Sequence, residues 1–289
     1  MDQSSSRDVH EAGHTSAHAE VGPGGGVLSG IRQAELFGVS YFRGTLEDAT
    51  AVVIDSAVSE RGGYACLCNV HVLETAHRDP RVMAALDDAR VVFPDGTPIV
   101  WAQRASYRDG APFARIAGPD LMERVLRDGR AYGMRHALYG STEDVVGRLR
   151  ATVAHRYPGA QIVVAVTPPF GEQTEEEVRK QVEAIRASRP HVVWVALGAP
   201  RQELWAATYA SSLQPAFVVA VGAAFDFLAG VKPRAPRWMR RAGLEWLHRL
   251  SLEPARLGRR YVTTNTTFLL RAASSLVRRR RPAAKRPRS

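Results

Sequence analysis

Apolar residues along the chain fall into two alternating patterns, short continuous runs and longer stretches at helical spacing. The alternation begins at about Ile31. Leu36–Tyr41 predicts a short strand, Thr45–Glu60 an amphipathic helix begun by a Thr cap, and Tyr64–Cys68 a strand. Helices are expected over His71–His77 and Pro80–Ala89, a strand over Val91–Phe93, and a helix over Pro98–Arg104. Leu121–Arg130 then reads as a helix, Arg135–Tyr139 as a strand and Glu143–Tyr157 as a helix. Gln161–Val166 (strand), Thr174–Ser188 (helix) and Val192–Leu197 (strand) continue the series. Repeated β–α units of this length predict an α/β fold, with a mostly parallel sheet and helices on both faces.

The stretch from His191 to Arg241 carries the most information. The run Val192–Leu197 ends in Gly-Ala-Pro, and the polar triplet Arg201, Gln202, Glu203 then opens a helical segment. A second run, Phe217–Val221, ends in another glycine and is followed by Asp226. Two strand ends thus carry glycine together with polar groups. In open α/β sheets, ligands bind in the crevice beyond the carboxyl ends of the strands. Two ordinary turns in a core would also produce this pattern.

After residue 236 the alternation stops. Residues 237–281 mix Trp238, Met239, Leu244, Trp246, Leu247, Leu250, Leu257, Tyr261, Phe268, Leu269 and Leu270 with arginines in a helical pattern. Such a basic amphipathic appendage suits the surface of an anionic membrane. A polybasic tail, 282–289, follows it. Residues 1–29 are rich in Ser, Gly, His and Ala and are expected to be disordered. His10, His14 and His18 stand four apart in that tail, where a solvated segment is the simpler reading than a metal site. The globular core is therefore expected over 30–236.

Charge sharpens this division. The net charge is +10, but residues 232–289 hold 17 Lys and Arg against 2 acids, so the rest of the chain is mildly acidic at −5. The basic end should meet a polyanion, and nucleic acid is the alternative to a membrane. Cys66 and Cys68 lie on one face of a strand, too close in sequence for an ordinary structural disulfide, and no further Cys completes a zinc pattern. The N-terminus lacks a basic segment followed by an apolar run, and no apolar stretch approaches the roughly 18–20 residues of a spanning helix. A cytoplasmic protein, free or lying on the inner face of the cell membrane, is expected.

Candidate chemistry sits at strand ends. Phe93-Pro94-Asp95-Gly96 follows a strand, so the Asp95 carboxylate can accept a proton from a substrate hydroxyl; Asp-Gly is also a plain turn. Asn69 ends the preceding strand and can share the crevice or simply stabilise its turn. Arg115 precedes a helix start, where it can bind an anion or lie on the surface. Missing motifs narrow the classes. There is no GxGxxG after the first strand, no P-loop lysine and no GxSxG elbow, which argues against a dehydrogenase, an NTPase and a serine hydrolase. There is also no Asp-x-Asp of the kind that holds a metal in many sugar-nucleotide enzymes. Expelling a diphosphate without a metal needs fixed positive charge, which the C-terminal segment has in abundance.

Eight segments in order carry a resemblance: Asn69–Val72 (NVHV), Phe93–Gly96 (FPDG), Arg115–Leu121 (RIAGPDL), Leu138–Gly140 (LYG), Pro168–Phe170 (PPF), Leu197–Glu203 (LGAPRQE), Val221–Gly230 (VGAAFDFLAG) and Arg234–Leu247 (RAPRWMRRAGLEWL). Each is weak alone. As an ordered set running from about Val39 to Tyr261, it resembles the WecG/TagA/CpsF glycosyltransferases. The resemblance implies a Rossmann-like core with a C-terminal membrane appendage, and an inverting, metal-independent transferase that needs no cofactor. Such enzymes move N-acetylmannosamine, its uronic acid or another hexose from a UDP-sugar donor to a polyprenyl-diphosphate-linked acceptor, in cell-wall or exopolysaccharide synthesis. Asp95 matches the family's proposed base. Asn69, Arg115, Gln202 and Asp226 match positions lining the nucleotide-sugar pocket, and Arg249, Arg256 and Arg259 match appendage arginines thought to reach the diphosphate. The basic end is then a membrane contact, with no nucleic-acid partner, and a homo-oligomer stays open. One departure stands out. Family members commonly carry threonine two residues before the Asn, and here that position is Leu67, followed by Cys68.

Overall fold

The computed structural model describes residues 31–107 and 109–252, together with 254, 258, 267, 268 and 271. The chain opens with β1 (Gln33–Leu36) and β2 (Val39–Phe42), followed by α1 (Leu46–Val58), β3 (Tyr64–Cys68), α2 (Val70–Ala76) and α3 (Pro80–Asp87). Next come β4 (Val91–Pro94), α4 (Thr97–Ser106), α5 (Gly118–Asp128), β5 (Arg135–Gly140), α6 (Glu143–Arg156) and β6 (Gln161–Val166). The series ends with α7 (Glu175–Ala187), β7 (Val192–Ala196), α8 (Arg201–Tyr209), β8 (Phe217–Ala220), α9 (Ala224–Leu228), α10 (Arg237–Arg241) and α11 (Glu245–Leu252).

Among the described residues, eight strands form one sheet in the order β1-β2-β4-β3-β8-β7-β5-β6. Every pairing is parallel except that of β1 with β2. A parallel sheet wound this way must be covered on both faces, and its side chains divide accordingly. Ala65, Leu67, Trp194 and Val219 pack on one face with Val53 of α1, Leu121 of α5, Leu149 of α6 and Phe225 of α9. Tyr64, Cys66, Cys68, Val193, Val195 and Val218 pack on the other with Leu73 of α2, Val82 of α3, Ile185 of α7 and Trp205 of α8. Central β3 is buried along its whole length, and both of its cysteines are free thiols.

Side-chain caps set the helix starts. Thr45 with Asp48 and Thr174 with Glu177 form reciprocal capping boxes at α1 and α7, while Thr142 caps α6 and Asp79 caps α3 ahead of Pro80. The strand expected over Leu36–Tyr41 is instead split into a hairpin. Phe37 (φ 54°) and Gly38 (φ 82°) both take left-handed backbone, which is what a two-residue hairpin turn requires. Phenylalanine is a rare occupant of that position. Its ring packs edge-on against Phe268, with centroids 5.6 Å apart.

That contact also corrects an expectation for the C-terminal segment. Phe268 is expected on a basic amphipathic appendage suited to a membrane surface, yet it is buried against the hairpin, and Arg271 pairs with the buried Glu74 at 3.4 Å. At these described residues an aromatic ring and a buried carboxylate each gain a partner. None of the described helices is long and apolar enough to cross a membrane.

Candidate functional site

Four neighbouring strands, β4-β3-β8-β7, end together, and each end delivers one of the residues singled out in the sequence. β3 and β4 are in register to Cys68 and Pro94, so Asn69 and Asp95 are the next residues on adjacent strands. The Asp95 amide donates to the Cys68 carbonyl at 3.0 Å, and the Ile116 amide to the Pro94 carbonyl at 2.9 Å. Gly96 (φ 112°) then turns the chain into α4, in a conformation that favours glycine. The Asp95 side chain is half-buried at this edge of the crevice.

Asn69 performs its structural task. Its Oδ1 accepts from the amides of His71 (2.9 Å) and Val72 (3.2 Å), capping α2. With the oxygen committed, the amide nitrogen is the part of Asn69 that can donate to a ligand. Leu67, where the family commonly has threonine, points into the core. A Cβ added at Gly118 would lie 3.5 Å from its Cδ2 and 2.7 Å from the Val221 carbonyl oxygen. The start of α5 therefore lies hard against β3 and β8, and only glycine fits at 118.

On the β7 and β8 side, Gly198 (φ 77°) and Gly222 (φ 57°) make the two turns. The Gln202 amide nitrogen Nε2 donates to Glu203 Oε1 at 2.9 Å, and both side chains are buried. Burial pushes the Glu203 carboxyl up to about 7, against the partial offset of the Gln202 hydrogen bond. Asp226 lies on α9, where its carboxylate meets Lys232 at 3.1 Å.

The C-terminal segment flanks the Asp95 edge. Thr97 donates to the Gly243 carbonyl at 3.3 Å, and Arg115 pairs with Glu245 of α11 at 2.7 Å. Arg234 makes a two-pronged bond to Asp120 (2.7 and 2.8 Å), and Arg240 reaches the same carboxylate at 3.5 Å. Burial disfavours the Asp120 charge, but the Arg234 bonds and the charges of Arg115 and Arg240 outweigh it and hold the carboxyl below its ordinary range. Arg115 is thus engaged by a carboxylate across 130 residues of sequence, which its local context does not reveal. Arg249 falls in α11, but its side chain lies outside the described residues, as do Arg256 and Arg259 altogether.

Sequence reasoning gave no role to Glu203, Asp120, Arg234 or Glu245. Asp120 and Arg234 stand inside recognised motifs, and Glu203 ends the polar triplet, so position in a motif was the available signal. Their pairings were not.

Known proteins decide the family. The sequence model described as "Glycosyl transferase WecG/TagA/CpsF family" matches residues 34–282. The chain belongs to that family. It is a glycosyltransferase, with a mostly parallel α/β core. Among its relatives is the N-acetylglucosaminyldiphosphoundecaprenol N-acetyl-beta-D-mannosaminyltransferase of Bacillus spizizenii, 31% identical over 209 residues, which are 70% of this chain and 78% of the relative. The protein of the same description from Staphylococcus aureus is 29% identical over 192 residues, 66% of this chain and 72% of the relative.

Proposed function

We propose that this glycosyltransferase moves an N-acetylhexosamine, with N-acetylmannosamine the first choice, from a UDP-sugar to a polyprenyl-diphosphate-linked sugar in cell-wall polysaccharide synthesis. The observation that supports this reading is placement: Asn69 and Asp95 directly follow neighbouring β3 and β4, and Gln202 and Asp226 lie in the first turns of the helices that follow neighbouring β7 and β8. The relatives' names supply the sugar and the acceptor. In the proposed step, Asp95 takes the proton from the acceptor hydroxyl as its oxygen attacks the anomeric carbon. The bond from that carbon to the diphosphate oxygen breaks, UDP departs with the electron pair, and the configuration inverts. Fixed arginine charge takes the place of a metal at the departing diphosphate. Arg249, Arg256 and Arg259 are the appendage groups assigned to that task, and Asn69, Arg115, Gln202 and Asp226 those assigned to the nucleotide sugar.

Titration calorimetry in EDTA tests the donor class. Micromolar binding of UDP, with none of ADP or of a single-stranded oligonucleotide, is the expected result. Equal binding of ADP, or no UDP binding, contradicts the reading.

Residues 237–281 are proposed as a membrane appendage to a 30–236 core, which puts the enzyme on the cytoplasmic face of the membrane. Trp238, Trp246, Leu247 and Leu252 on α10 and α11 are exposed, and exposed Trp101 follows Thr97, which touches Gly243, by one turn of α4. Tryptophan at an interface flanked by arginine is the composition of a surface-bound helix. The Trp238→Ser/Trp246→Ser variant is expected to lose about tenfold in affinity for vesicles containing phosphatidylglycerol, since each ring buries considerable apolar area. Sedimentation with vesicles reads this directly; unchanged binding means that other groups hold the surface.

A further inference from the structure

We propose that Glu203 is a positioning residue, which fixes the Gln202 side-chain amide so that its oxygen faces the crevice and accepts a hydrogen bond from the sugar nucleotide. The proposal rests on the reading of Gln202 as a nucleotide-sugar residue. Gln202 and Glu203 lie in the first turn of α8, directly after the β7 turn at Gly198, and the Gln202 backbone amide donates to the Gly198 carbonyl at 3.1 Å. Both side chains are at least nine-tenths buried, Gln202 at 5% exposure and Glu203 at 0%.

A glutamine amide has two ends that differ only in hydrogen-bonding sense. An ionised carboxylate can only accept, so it fixes the choice: Nε2 must face Glu203 Oε1, at 2.9 Å. The amide as a whole borders the β8 turn, where a Cβ built on Gly222 would lie 3.3 Å from Oε1 and 3.5 Å from Nε2, and Oε1 is the end not committed to Glu203. Among the described residues this buried oxygen has no hydrogen-bond partner. A buried acceptor left unpaired is destabilising, and a ligand donor at that point removes the penalty. The complementary group is a donor, either the imide N–H of the pyrimidine or a hydroxyl of the sugar.

The carboxylate has no other apparent task. Its Oε2 also has no partner among the described residues. Around it, β3 contributes the thiols of Cys66 and Cys68, which burial keeps in the neutral form, with the Tyr41 hydroxyl on the far side of Cys68. Val193 and Val195 of β7, Val218 of β8, and Val82 and Leu86 of α3 pack on this same face of the sheet. Asp95 acts on Cys68 from the adjacent strand end. With no cation acting on it among the described residues, Glu203 carries its charge only in the upper part of the neutral range. Protonated, it can donate to the Gln202 oxygen and permit the reversed amide, which presents N–H where the ligand also presents N–H or O–H.

The test compares wild type, Glu203→Gln and Gln202→Ala for KM, kcat and calorimetric affinity with a UDP-sugar, whose diphosphate diester does not itself titrate between pH 6 and 8. Glu203→Gln is expected to raise KM about tenfold at pH 8 with kcat changed less than about twofold, as loss of one oriented hydrogen bond implies. Wild-type affinity is expected to weaken as pH falls from 8 to 6, and the variant's to stay flat across that range. If UDP weakens more in wild type than in Glu203→Gln over this range, a comparison in which the titration of its terminal phosphate cancels, the partner is the pyrimidine; if only the UDP-sugar shows that difference, it is a sugar hydroxyl. Wild-type KM in Glu203→Gln with a strong effect of Gln202→Ala overturns the positioning role while leaving Gln202 in the site. No effect of Gln202→Ala overturns both. Should Glu203→Gln fail to fold, the wild-type pH dependence decides alone: affinity constant from pH 6 to 8 overturns the proposal.

Discussion

Replacing Asp95 by Asn is expected to lower kcat by a factor of about 10²–10⁴ while leaving KM for the sugar nucleotide within about threefold. The substitution keeps size and hydrogen-bonding capacity but removes the proton acceptor. Asp95 is tied to the sheet through its backbone, by the bond from its amide to Cys68, and Gly96 supplies the turn that follows. Neither feature depends on the carboxylate charge, so the fold and the nucleotide pocket should survive. Single-turnover transfer at saturating donor separates chemistry from binding. A variant that retains wild-type turnover removes Asp95 from the chemical step.

Arg234→Ala is expected to cost on the order of 3 kcal/mol of stability, the scale of breaking a largely buried ion pair. Asp120 and Arg234 are each about three-quarters or more covered, and Arg234 also stands 4.0 Å from Glu245, the partner of Arg115. Removing the guanidinium leaves Asp120 only the longer contact to Arg240 and weakens the setting of Glu245. For a domain of this size the melting temperature should fall by roughly 6–12 °C. The double variant Asp120→Ala/Arg234→Ala should fall by less than the two single effects summed, because the second change removes the partner whose pairing is already lost. The pH sign follows from the lowered carboxyl. The Asp120 contribution is complete above the unfolded value of about 4 and is lost as pH falls through the lower folded value. A shift below about 2 °C at neutral pH would mark the pair as no better than an exposed one.

Much of the architecture was legible because local chemistry and global fold agree. Thr45, Thr142, Thr174 and Asn69 stand where the helical patterns begin, and each caps its helix. Continuous apolar runs such as Val192–Ala196 became strands covered on both faces, as a parallel sheet demands. The hairpin at Phe37 was not legible, since its first turn residue is neither Gly nor Asn and the apolar pattern runs straight through it. A place at the carboxyl edge of the sheet was legible where a residue directly follows a strand, as with Asn69 and Asp95, because sheet order alone then sets such residues side by side. Pairings formed at long range were not. Arg115 with Glu245, Arg234 with Asp120 and Phe37 with Phe268 join segments whose separation exceeds any local pattern. Glu203 was visible as a residue but not as a buried one, since an acidic residue opening a helix ordinarily faces water and complements the dipole.

Leu67 bears on the choice of sugar. It is buried against the start of α5, so a hydroxyl at this position would face Gly118 and Val221 rather than open solvent. The Asn69 amide nitrogen is then the polar side-chain group available directly after β3.

The central claim is transfer from a UDP-sugar to a lipid-diphosphate acceptor at the strand-end crevice, and one assay addresses it most directly. Radiolabelled UDP-N-acetylmannosamine, UDP-N-acetylglucosamine and UDP-glucose are each offered with a polyprenyl-diphosphate N-acetylglucosamine acceptor, in vesicles containing EDTA, to wild type and to Asp95→Asn. Labelled lipid product from UDP-N-acetylmannosamine, formed by wild type and reduced at least about a hundredfold in the variant, is the predicted result. Product formed equally by both enzymes, or none from any of the three donors while UDP still binds, would contradict it.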